Sequence, residues 1–227
     1  MMEPDYGKTF AHWRARAAGH WHNYTHHAFV EALGDGTLPR SAFLHYLIQD
    51  YVFLVHFSRA WALAVVKSET LEEMKICAGT VDALVNQEMS LHVKTCAAEG
   101  IGEETLFEAR EAVENLAYTR YVMDAGLQGD FLDLMAALAP CVLGYGEIGL
   151  RLAGCKANDT PYAEWIATYA DPDYQAVCVN VGAMIDNAVA RRIGGLSHAP
   201  RTAVLQDRFN LATKLEVGFW QMGLNGT

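Results

Sequence analysis

The sequence predicts an all-α protein. Two helical stretches carry apolar stripes at helical spacing, around Asp50 and around Glu216, and long apolar-periodic segments are joined by short connections. We find no convincing run that alternates apolar and polar residues with the period of a strand, and no hairpin dipeptide between two such runs. Long helices with short connections are typical of a packed helical bundle, so we expect a single domain covering residues 1–227.

Helix start and stop signals give the order of the elements. Ser41 is expected to cap the second helix, Gly34 and Gly36 to end the first, and Gly100 to end the third. Loops are expected around Asn158 and Asp159 and between residues 194 and 200. The expected helices cover residues 9–33, 41–67, 70–99, 103–125, 130–154, 162–169, 172–193 and 201–222.

Composition narrows the class of protein. The chain is 52% hydrophobic, enough for one sizeable core, and its net charge of −10 without a basic run disfavours nucleic-acid binding. Five cysteines without a C-x-x-C pair indicate reduced thiols in the cytoplasm rather than disulfides. Charges or glycines interrupt the longest apolar runs before about 18 residues, and the N-terminus shows no signal core, so we expect no membrane segment.

The fifth helix carries an unusual stretch, residues 138–147. Pro140 removes a backbone hydrogen bond, and Gly144 and Gly146 each cost about 1 kcal/mol relative to alanine in a helix interior. These choices are explained if the helix bends and leaves space beside Cys141, with Tyr145 on the same face. A lone cysteine on an apolar helix is more commonly a small buried hydrophobe, so a reactive thiol needs support from elsewhere.

Two other helices each place one acid on an apolar face. The residues three and four positions from Asp50 are all apolar or aromatic, and Glu216 is the single acid of its face. A buried carboxylate needs a partner, and the sequence leaves open a structural partner or a functional pocket. Because the apolar faces of a bundle converge, we expect a pocket containing Cys141 and both acids, with Tyr118 and Tyr169 as lining candidates.

Two histidine patterns suggest metal sites at first. Glu88 and His92 are four residues apart, whereas di-iron bundles use Glu-x-x-His, so we expect a hydrogen-bonded pair or a solvated face and no metal. The second pattern is a cluster in the first helix, in which His22 and His26 have chelating spacing but lack a matching third ligand. A hydrated helix end is the simpler interpretation of this cluster, which consists of His20, His22, His26 and His27.

Spaced motifs along nearly the whole chain resemble those of the TenA family, the thiaminase II group. Several motifs in the right order are more specific than any single one. The motifs are His27-Ala28-Phe29-Val30, residues 34–39, Phe43, residues 46–51, Glu88-Met89-Ser90-Leu91-His92, residues 137–141 with Tyr145, Tyr162, Trp165-Ile166, Tyr169 and residues 216–220.

The resemblance implies a heme-oxygenase-like helical fold, usually in a homotetramer, and no organic or metal cofactor. It implies a small-molecule pyrimidine substrate, hydrolysed at the methylene attached to the aminopyrimidine ring. The product would be 4-amino-5-hydroxymethyl-2-methylpyrimidine, released from a degraded thiamine fragment or from thiamine itself.

By the same resemblance Cys141 is the nucleophile and Glu216 the proton donor, in the branch of the family that has this cysteine. A thiolate that adds to a ring carbon, while Glu216 protonates a ring nitrogen, lets the leaving group depart before water replaces it. The residues implied to hold or line the pyrimidine site are Asp50, Phe53, Tyr118, Tyr145 and Tyr169. Two departures are Phe53, where relatives can carry a tyrosine, and Ala28, where a proline is common.

Two other functions remain open at this point. A redox enzyme of the PqqC or di-iron type would share the fold and would bind iron or a quinone-like ligand. A non-enzymatic transcriptional regulator would need a DNA-binding surface, which the charge of −10 disfavours.

Overall fold

The structure is a computed structural model that describes residues 4–154, 160–196 and 200–226. Across these ranges the regular secondary structure is helical, so the prediction of an all-α protein is confirmed. Cys155 and the loop residues Asn158 and Asp159 lie outside the described residues. The elements are α1 (Lys8–Arg16), α2 (Ala18–Thr25), α3 (Ala28–Asp35), α4 (Arg40–Lys67), α5 (Leu71–Ala83), a π-helical segment (Leu84–Glu88), α6 (Met89–Ala98), α7 (Glu103–Phe107), α8 (Val113–Gln128), α9 (Phe131–Ala153), α10 (Ala163–Ala170), α11 (Pro172–Ile193) and α12 (Arg201–Asn225).

The chain divides into two compact units. The Cys141 unit consists of Met1–Leu38 and Met135–Val217, and the Asp50 unit consists of Pro39–Leu134 and Gly218–Thr227. Each unit has its own buried aromatic rings. In the Cys141 unit Trp21 stacks on Phe209, with ring centroids 5.6 Å apart. The single domain expected from the sequence stays a prediction.

The helix predicted at residues 9–33 is wrong in one respect, because the chain forms three helices there. Ala17 leaves helical geometry with φ −94° and ψ 12°, which ends α1. His27 then caps α3, since its Nδ1 accepts the backbone N–H of Phe29 at 3.2 Å. Ala28 follows this cap as the first residue of α3, a position where proline is favoured. The departure noted at Ala28 therefore affects only how the chain enters α3.

The start of α4 also corrects the prediction. Ser41 is not the cap, because the helix begins at Arg40 and the Pro39 carbonyl already accepts the backbone N–H of Phe43 at 3.1 Å.

The predicted helix 70–99 contains a π-helical segment, Leu84–Glu88, between α5 and α6. Such segments insert one residue into a helix and are frequent at functional sites.

The predicted helix 103–125 is interrupted between α7 and α8. Gln49 of α4 binds the intervening loop, because its Nε2 donates to the Arg110 carbonyl and its Oε1 accepts the Ala112 N–H, both at 2.9 Å. Asn115 of α8 donates to the Gln49 carbonyl at 2.8 Å. These bonds to a residue of another helix replace the backbone bonds that a continuous helix would have made.

Helix α9 is the apolar core helix. At its N-terminus Asp130 accepts the Leu132 N–H at 2.8 Å, and Asp133 accepts the Asp130 N–H at 2.9 Å, so the two acids form a reciprocal cap. By length and composition α9 could cross a membrane, with a mean hydropathy of 1.4 over its most apolar window. However, 89% of that window is buried inside the protein, as in the core helix of a globular protein.

Candidate functional site

Asp50 lies in a buried hydrogen-bonded cluster of the Asp50 unit. The Asp50 residue is 2% exposed and His92 is 0% exposed. Nε2 of His92 lies 2.6 Å from Oδ2 of Asp50, and the hydroxyl of Tyr46 donates to the same oxygen at 3.0 Å. The sequence therefore identified correctly that this carboxylate needs a partner, but the partner comes from α6, 42 residues away.

The opposite side of the His92 ring is bonded as well. Its Nδ1 lies 2.9 Å from the backbone carbonyl oxygen of Glu88, the last residue of the π-helical segment. Burial disfavours the charged ring, but the hydrogen bond and charge of Asp50, assisted by Glu88, outweigh burial and raise the pKa of His92. The expected pairing of Glu88 with His92 thus exists through the backbone of Glu88, and His92 forms its buried ion pair with Asp50.

Aromatic rings surround the next turn of α4. Phe53 is 3% exposed, and its ring centroid lies 5.1 Å from that of Tyr118 and 5.4 Å from that of Phe219. Tyr118 is fully buried. The structure therefore brings together Phe53 and Tyr118, both named from the resemblance, three residues along α4 from Asp50.

Cys141 belongs to α9 in the Cys141 unit. Among the cysteines of the described residues, it is half-buried while the other three are buried. Tyr145 is one turn further along α9, and its ring centroid lies 4.9 Å from that of Tyr169 in an edge-to-face arrangement. Trp165 packs against both rings, at 5.8 Å and 4.6 Å. The structure therefore brings together Tyr145 and Tyr169, two of the residues that the resemblance implies for the pyrimidine site.

The glycines of α9 have a different role from the one expected. A Cβ at Gly144 would overlap the ring of Tyr24, and a Cβ at Gly146 would lie 2.7 Å from Sγ of Cys178 and 2.8 Å from the hydroxyl of Tyr6. Neighbouring side chains thus fill the space beside both glycines. The expectation that these glycines leave space beside Cys141 is wrong, because they allow other helices to approach α9 closely.

Side chains of α2 and α11 bind backbone carbonyls of α9. Tyr24 donates to the Pro140 carbonyl at 3.2 Å, Tyr174 donates to the Val142 carbonyl at 3.1 Å, and Gln175 donates to the Gly146 carbonyl at 3.1 Å. The carbonyls immediately before and after Cys141 are both bonded in this way. The segment of α9 that carries the thiol is therefore held from outside the helix, at the point where Pro140 lacks its own N–H.

The buried thiols differ from Cys141 in their surroundings. Cys178 donates to the Val142 carbonyl at 3.5 Å, and burial raises the pKa of its thiol to about 12. Burial likewise raises the pKa of the Cys77 thiol to about 11 and raises that of Cys96. A thiolate is the reactive form of cysteine, so these three thiols are poorly suited to nucleophilic chemistry.

Glu216 is 2% exposed on α12, so its predicted burial is confirmed. It belongs to the Cys141 unit, as do Tyr145 and Tyr169, whereas Asp50, Phe53 and Tyr118 belong to the Asp50 unit.

Within the described ranges no cluster of three or more histidine, cysteine, aspartate or glutamate side chains is arranged to hold a metal ion.

The chain matches a known protein family over most of its length. The model of the TENA/THI-4/PQQC family matches residues 14–226. The chain belongs to this family. The resemblance to TenA proteins that the spaced motifs predicted is therefore confirmed, and it extends over nearly all of the chain.

Individual proteins of the TENA/THI-4/PQQC family are similar to this chain in sequence and in structure. An aminopyrimidine aminohydrolase of Halalkalibacterium halodurans is 35% identical over 207 residues, which is 90% of this chain and 90% of that protein. The crystal structure of a TenA family transcription regulator from Silicibacter sp. TM1040 is 61% identical, with a TM-score of 0.94 over 96% of this chain and 97% of that one.

A more distant structure confirms the fold class. A domain with a heme oxygenase-like fold from Shewanella denitrificans has a TM-score of 0.72 over 95% of this chain and 92% of that chain, at 11% identity. At this identity the likeness concerns the fold alone. The predicted heme-oxygenase-like architecture is therefore confirmed.

Proposed function

We propose that this chain is a hydrolase of thiamine-derived aminopyrimidines, which releases 4-amino-5-hydroxymethyl-2-methylpyrimidine in thiamine salvage. The observation that carries the proposal is the state of Cys141. It is the half-buried thiol among the described cysteines, it stands one turn before Tyr145, and it occurs in a family whose members include aminopyrimidine aminohydrolases.

In the proposed reaction Cys141 is the nucleophile. Its thiolate forms a carbon–sulfur bond to a ring carbon of the aminopyrimidine while Glu216 delivers a proton to a ring nitrogen. The ring electrons then expel the amine or thiazole from the exocyclic methylene. Water adds at this carbon and loses one proton, which an amine leaving group takes up or which passes to solvent when neutral thiazole leaves. The carbon–sulfur bond then breaks and the ring nitrogen returns its proton to Glu216, so that the thiolate and the acid are regenerated.

Roles of the other residues follow from their side chains. Tyr145 and Tyr169 offer aromatic surfaces against which a flat heterocycle can pack. Asp50 offers a carboxylate oxygen as an acceptor for an amino group. Phe53 and Tyr118 are proposed to line the pyrimidine site.

We also propose that the protein is cytoplasmic, because its cysteines lack a disulfide pattern, and that it forms a homotetramer, as the resemblance to the TenA family implies. Sedimentation at micromolar concentration should then give a particle of about four times the chain mass of 25.0 kDa. A monomer would contradict this part of the proposal and would leave the hydrolase proposal to its own test.

The test is a comparison of substrates. Purified protein is incubated with thiamine and with its aminomethylpyrimidine fragment side by side, and the hydroxymethylpyrimidine product is measured by mass spectrometry. We expect product from at least one substrate, at a rate lower by about a hundredfold or more in the Cys141→Ser variant. Sequence-specific DNA binding by a protein inactive on both substrates would instead support a transcription regulator, which is what the Silicibacter relative is called.

A further inference from the structure

We infer that His92 is a positioning residue for the pyrimidine, because it binds Oδ2 of Asp50 from inside the protein and so directs Oδ1 toward the amino group of the ligand. This inference rests on the proposed function, in which Asp50 binds the aminopyrimidine. His92 itself touches Asp50 and the Glu88 carbonyl, and it acts on the ligand through Asp50.

The hydrogen-bond partners of His92 indicate where the protons around its ring lie. A carbonyl oxygen can only accept, so Nδ1 of His92 must carry a hydrogen to bond the Glu88 carbonyl at 2.9 Å. Nε2 faces a carboxylate oxygen at 2.6 Å, and a proton must lie between these two atoms as well. With the proton on Nε2 the ring is an imidazolium, and Asp50 is its carboxylate counter-ion.

The two oxygens of Asp50 are used differently. Both the His92 Nε2 contact and the Tyr46 hydroxyl contact are made to Oδ2. In the part of the chain that the structure describes, no hydrogen bond is made to Oδ1. Oδ1 is therefore the acceptor that remains for a ligand, and an exocyclic amino group supplies the matching donor.

The charges explain why a histidine is needed here. Asp50 is 2% exposed, and a buried carboxylate without a partner is costly. An imidazolium partner makes the pair neutral as a whole. An uncharged aminopyrimidine then meets a strong, directed acceptor without a bare buried charge.

The π-helical segment belongs to this arrangement. It inserts one extra residue before α6, which turns the following residues by about 100° around the helix axis. His92 is the fourth residue of α6, and the carbonyl that binds its Nδ1 belongs to Glu88, the last residue of the segment. The irregular segment thus supplies the carbonyl that orients the imidazole ring.

The experiment is a double-mutant cycle on hydrolysis of the aminomethylpyrimidine. We compare the single variants His92→Gln and Asp50→Asn with the variant that carries both changes, and we measure KM, kcat and the melting temperature. The matched control is His45→Gln, the same change at a half-buried histidine of α4. We expect His92→Gln to raise KM about tenfold and to change kcat less than about threefold, while the control does neither.

The cycle distinguishes positioning from a structural role. If His92 acts through Asp50, the double variant should have about the same KM as Asp50→Asn alone. A lower melting temperature with unchanged KM in His92→Gln would overturn the inference, as would multiplicative effects on KM. An inactive wild-type protein would overturn the proposed function itself, whereas failure of this inference would appear only in the variants.

A second measurement covers variants that fail to fold. Nitrogen-15 NMR of the wild-type protein should show two protonated ring nitrogens for His92 at neutral pH, with one strongly deshielded proton between His92 and Asp50. A singly protonated, neutral His92 ring with no such proton would overturn the inference without any substitution.

Discussion

The surroundings of Asp50 and of Cys141 are built in opposite ways. Asp50 is held by other side chains, since His92 and Tyr46 both bond its Oδ2. The segment around Cys141 is held through its backbone, since Tyr24 and Tyr174 bond the carbonyls on either side of the thiol. The acid is thus held by two side-chain partners, whereas the thiol is distinguished from other cysteines by its position and exposure.

The largest effect expected from this comparison is on turnover. Cys141→Ser should lower kcat about a hundredfold or more, because an alcohol is a much weaker nucleophile than a thiolate, and it should leave the melting temperature nearly unchanged. Steady-state kinetics with the aminomethylpyrimidine and a thermal melt measure the two quantities.

The matched control for this variant is Cys178→Ala. It removes a buried thiol that bonds the Val142 carbonyl, so it should lower the melting temperature and change kcat by less than about threefold. Full hydrolysis by a folded Cys141→Ser protein would falsify the covalent mechanism. Loss of turnover in a well-folded Cys178→Ala protein would remove the contrast between the two thiols.

Glu216→Gln tests whether the acid and the thiol act in the same step. If Glu216 protonates the ring in the step in which Cys141 attacks, the variant that carries both Cys141→Ser and Glu216→Gln should lose much less turnover than the product of the two single losses. Multiplicative losses, measured with the same assay, would mean that the acid and the thiol act in separate steps.

Chemical modification tests the exposure of the thiols directly. Cys141 should be alkylated by iodoacetamide well before Cys178, whose pKa is raised to about 12 by burial, and before Cys77, whose pKa is raised to about 11. Peptide mapping by mass spectrometry gives each rate separately, including that of Cys155. Faster modification of Cys178 than of Cys141 in the folded protein would contradict the comparison.

The close packing of other side chains against α9 predicts an effect on stability. Gly144→Ala should lower the free energy of unfolding by about 1–3 kcal/mol, because its Cβ would overlap the fully buried ring of Tyr24. Gly79→Ala in α5 is the control, since a Cβ there meets no atom within 4 Å and alanine favours a helix by up to about 1 kcal/mol. Denaturant unfolding measures both, and equal effects would contradict the packing role of Gly144.

These differences also explain which features of the fold and of the site can be predicted from the sequence. Helical periodicity identified the long helices, and the lone acid at position 50 indicated a buried partner. The interruptions could not be predicted, because they depend on distant residues, such as Gln49 binding the loop before α8. The sequence does not identify the partner of Asp50 for the same reason, although Glu88 and His92 stand at a spacing close to that of a metal-binding pair.

The signals around Cys141 were visible but ambiguous. Pro140, Gly144 and Gly146 stand out in an apolar helix, yet the same residues fit either a ligand space or a close helix contact. The choice between these depends on Tyr24 and Tyr6, which are more than a hundred residues away in the sequence. The exposure of Cys141 relative to Cys178 likewise follows from packing alone, which no local pattern encodes.

The smallest effect expected is a pH dependence of stability in the Asp50 unit. The pKa of His92 is raised because the hydrogen bond and charge of Asp50, with Glu88, outweigh the burial that lowers it. Asp50, Glu88 and Tyr46 are the titratable groups that bear on this pair in the described residues. A group with a raised pKa contributes stability that is fully present below the unfolded value of about 6.5 and is lost as pH rises through the folded value.

The free energy of unfolding of the wild-type protein should therefore exceed that of His92→Gln by more at pH 6 than at pH 9. Each unit by which the pKa is raised corresponds to about 1.4 kcal/mol, so the difference between the two pH values reports the strength of the pair. Denaturant unfolding of both proteins at several pH values measures it. A difference that is independent of pH would mean that His92 stabilises the fold by packing alone, and that the acid, like the thiol, is distinguished only by its position.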